Sequence, residues 1–351
     1  MGNFTHLAGL PVTIASCRLE GLKFAASPAF ERHTTLVYLE GGGEEGIGED
    51  PTYDTADHLA FRQAGPLLPL AGTFTLASFS RHLDAFDLFP KQPSQSGYRD
   101  YRRWAFESAA LDLALRQAGQ SLAEALGIEP RPVRFVSSMS LGTPPDLQPL
   151  LGWLELYPDM GLKLDVGAGW DELLVERLAA TGAIEVVDLK GAYKGTPVDL
   201  DPDPELYARV ARGLPDAWIE DPALTPRTEA VLAAHRDRIT WDAPIHSLDD
   251  IRALSFVPRM LNFKPSRFGR LEALLDGYDY CRKEGIAVYG GGQWELGPGR
   301  DHIQYMAALF HADAPNDVAP RAYNAPEPTP GLPSSPLAPR PAPTGFRRER
   351  D

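Results

Sequence analysis

The sequence predicts an α/β protein: a closed, parallel sheet of eight strands preceded by a smaller region with a hairpin-like sheet and a long helix. Three observations predict it. After Pro132 short apolar runs alternate with helical segments, polar residues stand at the C-terminal end of nearly every run, and these ends recur every 22 to 32 residues. At 351 residues the chain can bury a sizeable core, in one large barrel or in two domains.

In the first hundred residues, TLVYL (35–39) runs into the glycines of EGGGEEGIGED, which implies a hairpin-like sheet. The segment AFESAALDLALRQAGQSLAEALG (105–127) puts Phe106, Ala110 and Leu113 at helical spacing and ends on a glycine suited to a C-cap, so one helix is expected. The strands of the closed sheet are VRFVSSMS (133–140), GLKLDV (161–166), IEVVDL (184–189), AWIE (217–220), RITWDA (238–243), MLNFKP (260–265) and IAVYGG (285–290). A shorter eighth lies near Pro315 to Val318. From Asn324 onward Pro, Ser and Ala dominate and little could form a core, which predicts a flexible tail over 324–351.

The net charge of −14 argues against nucleic acid or an anionic membrane as partner, since both would repel the surface. A small-molecule ligand fits better. Cys17 and Cys281 are too few for a disulfide framework and are expected as thiols in a reducing compartment. The N-terminus lacks a basic stretch before its apolar residues, and no run of about 18 apolar residues occurs, so the expected location is the cytoplasm.

In a barrel the strand ends converge on one mouth. The charged residues there are Lys163, Asp165, Asp188, Lys190, Glu220, Asp242, Lys264, Glu295 and Asp317. Any one of these acids alone would read as a helix cap or turn residue. Asp188, Glu220 and Asp242, from three consecutive strands, bring three carboxylates to one point, and like charges so close need a divalent cation or matching lysines. All-oxygen ligation suits Mg²⁺. Lys264 follows an apolar strand and precedes a proline, which places it at the mouth; alone it would read as a surface lysine that snorkels. In VVDLKGAY (186–193), Asp188 and Lys190 are two apart and share a strand face.

These residues resemble a known family. IEVVDL, WIEDP, ITWDA and LNFKPSRFG, in that order and at these intervals, are similar to the enolase superfamily, in particular its muconate-lactonizing and o-succinylbenzoate-synthase-like branch. GIGEDPTYD and the helix AFESAALDLA resemble that family's capping domain, so the resemblance covers roughly residues 10 to 322. It implies a TIM-like (β/α)7β barrel over 131–320, and an α+β capping domain over 1–130 that is completed by about 318–325. It implies Mg²⁺ held by Asp188, Glu220 and Asp242, and an enzyme, a lyase or isomerase, that abstracts the proton α to the carboxylate of a small acid through a metal-stabilised enolate. Lys264 matches the family's sixth-strand lysine, an acid/base group. Lys163 would polarise the site. A homo-oligomer is compatible with the resemblance.

Two positions depart from the family pattern. The second strand usually carries Lys-x-Lys, and here reads Lys163-Leu164-Asp165; the third commonly carries Asp-x-Asn, and here reads Asp188-Leu189-Lys190. Three readings stay open. Lys190 pairs with Asp165 and supplies the missing ammonium; or it neutralises the carboxylates so that no metal binds and the barrel is a catalytically silent ligand-binding or scaffolding protein; or it is an ion pair that fills space.

Other candidate substrate contacts are Gln293 and Glu295 in the Gly-rich segment 289–300, and Ser138 with Ser140 at the end of the first strand. In the cap, the loop FAASPAFERHTT (24–35) and EDPTYD (49–54) match family loops that close over substrate, which brings in Phe24, Phe30 and Tyr53. Packing against the barrel is the plainer role for such aromatics. None of the eight histidines lies in a metal-like pair.

Overall fold

A computed structural model describes residues 2–27, 30–65, 69–193 and 200–349. Three strands, Ser16–Ser27, Phe30–Gly41 and Glu44–Asp50, pair antiparallel in that order and form the N-terminal cap sheet. Gly42 and Gly43 take positive φ (61° and 82°), as the tight return between the second and third strands requires. The helix Tyr98–Gln117 lies against this sheet. A Cβ on Gly48 would stand 1.9 Å from the Ala105 carbonyl oxygen, so a residue without a side chain is what lets the helix seat.

Two expectations for the cap are corrected. The helix expected over 105–127 is two helices: the first ends at Gln117, Gly119 turns the chain (φ 67°), and Leu122–Leu126 begins on a Ser121/Glu124 capping box and stops at left-handed Gly127. A glycine followed by a strong N-cap outweighs continuous apolar spacing. The stretch 24–35, expected as a loop, is mostly hairpin, with strand to Ser27 and again from Phe30; residues 28–29 lie outside the described residues.

Beyond the cap, Val136–Ser140, Gly161–Asp165, Ile184–Asp188, Trp218–Glu220 and Ile239–Thr240 form one five-stranded parallel sheet in chain order. Met260–Phe263 and Ala287–Gly290 form a second parallel pair. Single hydrogen bonds join these sheets: Asn262 N to Trp241 O (3.0 Å), Asp317 N to Gly290 O (2.8 Å) and Val136 N to Asn316 O (2.8 Å). The short eighth element thus stands between the seventh strand and the first. Helices alternate with the strands, and several carry the caps their sequences offer, such as Asp171 accepting from Leu174 N.

Residues 324–349 are not the flexible tail that composition predicts. Val133 and Leu337 exchange two backbone hydrogen bonds (2.7 and 2.8 Å), Phe346 is fully buried against Trp104, His302 and Tyr305, and Arg347 Nε pairs with buried Asp112 at 2.6 Å. Proline limits regular hydrogen bonding, yet a few apolar anchors and one ion pair hold an extended chain. Cys17 and Cys281 are free thiols. Among the described residues no helix is long and apolar enough to cross a membrane.

Candidate functional site

One row of paired residues, Ser140, Asp165, Asp188, Glu220 and Thr240, crosses all five strands of the larger sheet at their C-terminal ends. Neighbours in one row of a parallel sheet project to the same face, so the register itself gathers the acids. Here a cavity of about 780 Å³ opens. Its walls include Ser138, Ser140, Lys163, Asp165, Asp188, Lys190, Asp242, Lys264 and Asp317 from the strand ends, Gln293 and Trp294 from the loop after the seventh strand, and Phe30, Tyr53, Tyr98 and Tyr101 from the cap.

Two expected contacts are not in these walls. Phe24 lies in the first cap strand with the Arg321 guanidinium 5.7 Å from its ring, because the chain there is extended hairpin rather than a closing loop. Glu295 is buried and turned back on its own loop, accepting from Gln293 N at 2.8 Å.

Most of these carboxylates stand next to a cation, some sharing one. Lys163 Nζ hydrogen-bonds Glu220 and lies 3.9 Å from Asp188 and 3.8 Å from Asp317. Lys190 Nζ stands 2.5 Å from Asp188 Oδ2 and 2.9 Å from Asp165 Oδ1, meeting both acids named in the open readings. Lys190 is also held by its backbone, with φ of 54° and its N–H donating to Asp188 Oδ1 (2.9 Å). A lysine in left-handed conformation is strained, and such strain collects at functional sites. Asp242 is bonded by Lys264 Nζ (2.9 Å), Arg267 Nη1 (2.6 Å) and Tyr193 OH (2.9 Å).

Burial and these partners pull in opposite directions. Burial would raise Asp242, but Arg267 and Lys264 hold it far below the usual carboxylate range. Asp188 is likewise lowered, with Lys190 and Lys163 outweighing burial. Burial would lower Lys190, but Asp188 and Asp165 raise it. Glu220 is pushed up to about 8 by burial, which Lys163 only partly offsets against the charges of Asp188 and Asp242.

The structure adds a fourth carboxylate, Asp221, to the three expected as ligands. Among the described residues, the buried carboxylates that group with oxygens within 4.8 Å of one another are Asp188, Glu220 and Asp221, and Asp242 is outside that group. The fifth strand ends at Thr240, so Asp242 sits two residues into the loop, where Lys264, Arg267 and Tyr193 draw its carboxylate away. Asp221 (φ 50°) accepts from Asp242 N and Ala243 N (2.8 and 2.9 Å) and is pushed up to about 7, first by burial and then by Asp188 and Asp242. Burial thus keeps Glu220 and Asp221 costly to ionise without a further cation, and an all-oxygen donor set of this kind fits a divalent cation such as Mg²⁺.

Sequence reasoning missed Asp221, Tyr193, Arg267 and Tyr289, the last donating from the seventh strand to Glu220. Asp221 and Arg267 were visible as neighbours of Glu220 and Lys264 in WIEDP and FKPSRFG. Nothing in the sequence marks the two tyrosines.

Comparison with known proteins places this geometry. Two family models match, the domain of unknown function (DUF8230) N-terminal domain over residues 5–125 and its C-terminal domain over 129–325. The o-succinylbenzoate synthase of Geobacillus kaustophilus is 27% identical over 237 residues, 62% of this chain and 59% of that protein. The chain thus spans less than two thirds of that relative's length. The N-succinylamino acid racemase of Thermus thermophilus is 25% identical over 324 residues, 85% and 82% of the two chains. Among solved structures, an enolase-superfamily member from Listeria innocua superposes with a TM-score of 0.67 at 21% identity, covering 88% of this chain and 86% of that one. Muconate cycloisomerase from Pseudomonas fluorescens gives 0.62 at 18% identity, covering 88% and 87%. The chain belongs to the DUF8230 family, and its fold is that of the enolase superfamily.

Proposed function

We propose that this chain is a Mg²⁺-dependent lyase or isomerase that removes the proton α to the carboxylate of a small carboxylic acid. The observation that carries this reading is the meeting, at one cavity, of Lys264, Asp188 and Asp242, with the buried carboxylates of Glu220 and Asp221 beside Asp188. The names of the relatives, o-succinylbenzoate synthase and N-succinylamino acid racemase, support it. Asp188 and Glu220, with Asp221 or Asp242, would hold the ion, which when bound supplies charge that offsets the negative charge gathering on the substrate carboxylate.

The remaining work falls to the chain's own groups. Lys264 Nζ is the proton-transfer atom, and Asp242, ionised and fixed by Arg267 and Tyr193, sets where it stands. Lys163 holds Glu220 in place. Lys190 with Asp165 presents a second ammonium to the cavity, able to hold a proton or bind a substrate carboxylate. Ser138, Gln293 and Tyr53 contact substrate. A (β/α)7β barrel over 131–320, capped by 1–130 with about 318–325, belongs to the same reading; the hydrogen bonds that run from the fifth strand to the sixth and from the seventh through Asn316 and Asp317 to the first support it.

The test is exchange of α-protons with deuterated solvent across a panel of N-succinylamino acids and other small acids, with Mg²⁺ and after chelation. Label should enter at least one acid, and only with Mg²⁺. No label under any condition refutes the reading. A second reading, a catalytically silent ligand-binding barrel, rests on the 2.5 Å contact between Lys190 and Asp188, which occupies one carboxylate of the cluster. Calorimetry that shows no Mg²⁺ binding to the wild type but binding to Lys190→Ala would favour it.

A further inference from the structure

We infer that Arg32 is a positioning residue that sets the cavity's aromatic wall and so makes the site selective for acids bearing an aromatic group; this rests on the reading above. Arg32 is fully buried, and no carboxylate among the described residues pairs with it. Its guanidinium instead donates to four backbone carbonyls on two separate loops. On the cap side these are Thr52 O (2.5 Å) and Pro51 O (2.6 Å); on the barrel side, Gln293 O (2.8 Å) and Trp294 O (3.3 Å).

A planar fork with five donors can span two loops in this way, whereas an ammonium has three donors on one atom. Ordering a buried guanidinium without a counterion is costly unless its donors are satisfied, and here carbonyls satisfy them.

Arg32 touches two of the cavity's aromatic residues, Tyr53 and Trp294. The Tyr53 ring stacks under its guanidinium, 4.3 Å from Cζ to the centroid. Trp294 sits at φ 57°, a left-handed conformation that a tryptophan resists, with its carbonyl held by Arg32 Nε. Phe30 begins the strand that carries Arg32, and its ring is 5.8 Å from that of Trp294. Phe30 and Tyr53 are 39% and 38% exposed although both line the cavity, so apolar ring surface is left facing the ligand space.

A second cap residue grips the same loop with opposite chemistry. Glu49 accepts from Leu296 N (2.6 Å), Gly297 N (3.0 Å) and Gly299 N (2.9 Å). The cap therefore holds the segment 293–299 largely through its backbone, with Gln293 Nε2 donating to Tyr101 OH (2.9 Å) as a side-chain tie. The segment's other side chains are left to shape the cavity, with Trp294 the largest of them. An aromatic group on the substrate would stack among Phe30, Tyr53 and Trp294 while its α-carbon lies at the lysines.

The experiment compares a matched pair of probes, N-succinyl-L-alanine and N-succinyl-L-phenylalanine, by α-deuterium exchange with Mg²⁺. Wild type should favour the phenylalanine probe at least tenfold in kcat/KM. Arg32→Met should erase that preference, the loss falling on KM of the phenylalanine probe, and Arg32→Lys should lie between. Hydrogen exchange read by mass spectrometry should show 51–54 and 292–297 loosening together in both variants. Equal losses on both probes would mean a merely structural role and overturn the inference, as would a wild type without preference or a preference that survives Arg32→Met. If neither probe exchanges in wild type but other acids on the panel do, the inference falls and the reading stands; if no acid exchanges, the reading itself falls.

Discussion

Gly291→Ala tests whether Lys264 works from the seat the structure gives it. A Cβ on Gly291 would lie 2.8 Å from Lys264 Cε and 2.9 Å from Asn262 Oδ1. Carbon atoms settle at about 3.5–4.0 Å, so Cε must retreat by roughly 1 Å. The Lys264–Asp242 pair is 2.9 Å long and buried, with side-chain exposures of 9% and 0%. If the retreat lengthens it to about 3.9 Å, the attraction at an effective dielectric near 20 falls from about 5.7 to about 4.3 kcal/mol, a loss of about 1.4 kcal/mol. A reacting group misplaced by about 1 Å costs on the order of a hundredfold in rate. Deuterium wash-in by the variant should therefore fall at least tenfold with the best acid of the panel. Urea unfolding should show a loss of no more than about 1–3 kcal/mol, since the crowded atom is the end of a flexible side chain. A folded variant that exchanges at the wild-type rate would refute the assignment of proton transfer to Lys264.

Lys190→Ala releases Asp188 from its closest cation, so titration calorimetry should show Mg²⁺ binding at least tenfold more tightly than to wild type; weaker binding would mean that the ammonium organises the cluster. Phe346→Ala should cost about 3–5 kcal/mol in denaturant unfolding, the usual loss for a buried phenylalanine, whereas a free tail would lose nothing. Glu220 and Asp221 are raised when folded, to about 8 and about 7, so the folded state binds more protons than the unfolded chain above about pH 4. Their contribution is fully present below that pH and lost as pH rises through 7 to 8. The melting temperature of chelated protein should fall over this window, and Mg²⁺ should flatten the fall; a flat profile in chelator would contradict the raised state of these two buried carboxyls.

What was legible in the sequence is what repeats. Apolar runs report strands, and the spacing of Lys163, Asp188, Glu220 and Lys264 reports the end of each where a side chain meets the cavity or the cluster behind it. Pairing of neighbouring strands makes Asp165 and Lys190 readable as partners, because the register sets 165 beside 188 and a long side chain two residues on can reach back. Composition misleads over 324–349, because one buried phenylalanine and one paired arginine anchor a proline-rich chain, and an average does not tell an anchored side chain from a free one.

Asp242 shows where such reasoning stops. Its spacing is as regular as that of Asp188, yet the direction of its carboxylate is decided by Lys264, one strand end on, together with Tyr193 and Arg267, which stand 49 and 25 residues away and off the strand ends. Once three donors hold Asp242, its backbone N–H and that of Ala243 are bonded by Asp221, and that carboxylate comes to lie beside Asp188 and Glu220. Asp221, one residue past the preceding strand, thus competes with Asp242 for the place of third ligand. Asp221→Asn tests that competition: it keeps an acceptor for one of the two N–H groups and removes the charge. Mg²⁺ affinity should then fall at least tenfold while the fold is retained. Unchanged affinity would return the third ligand to Asp242.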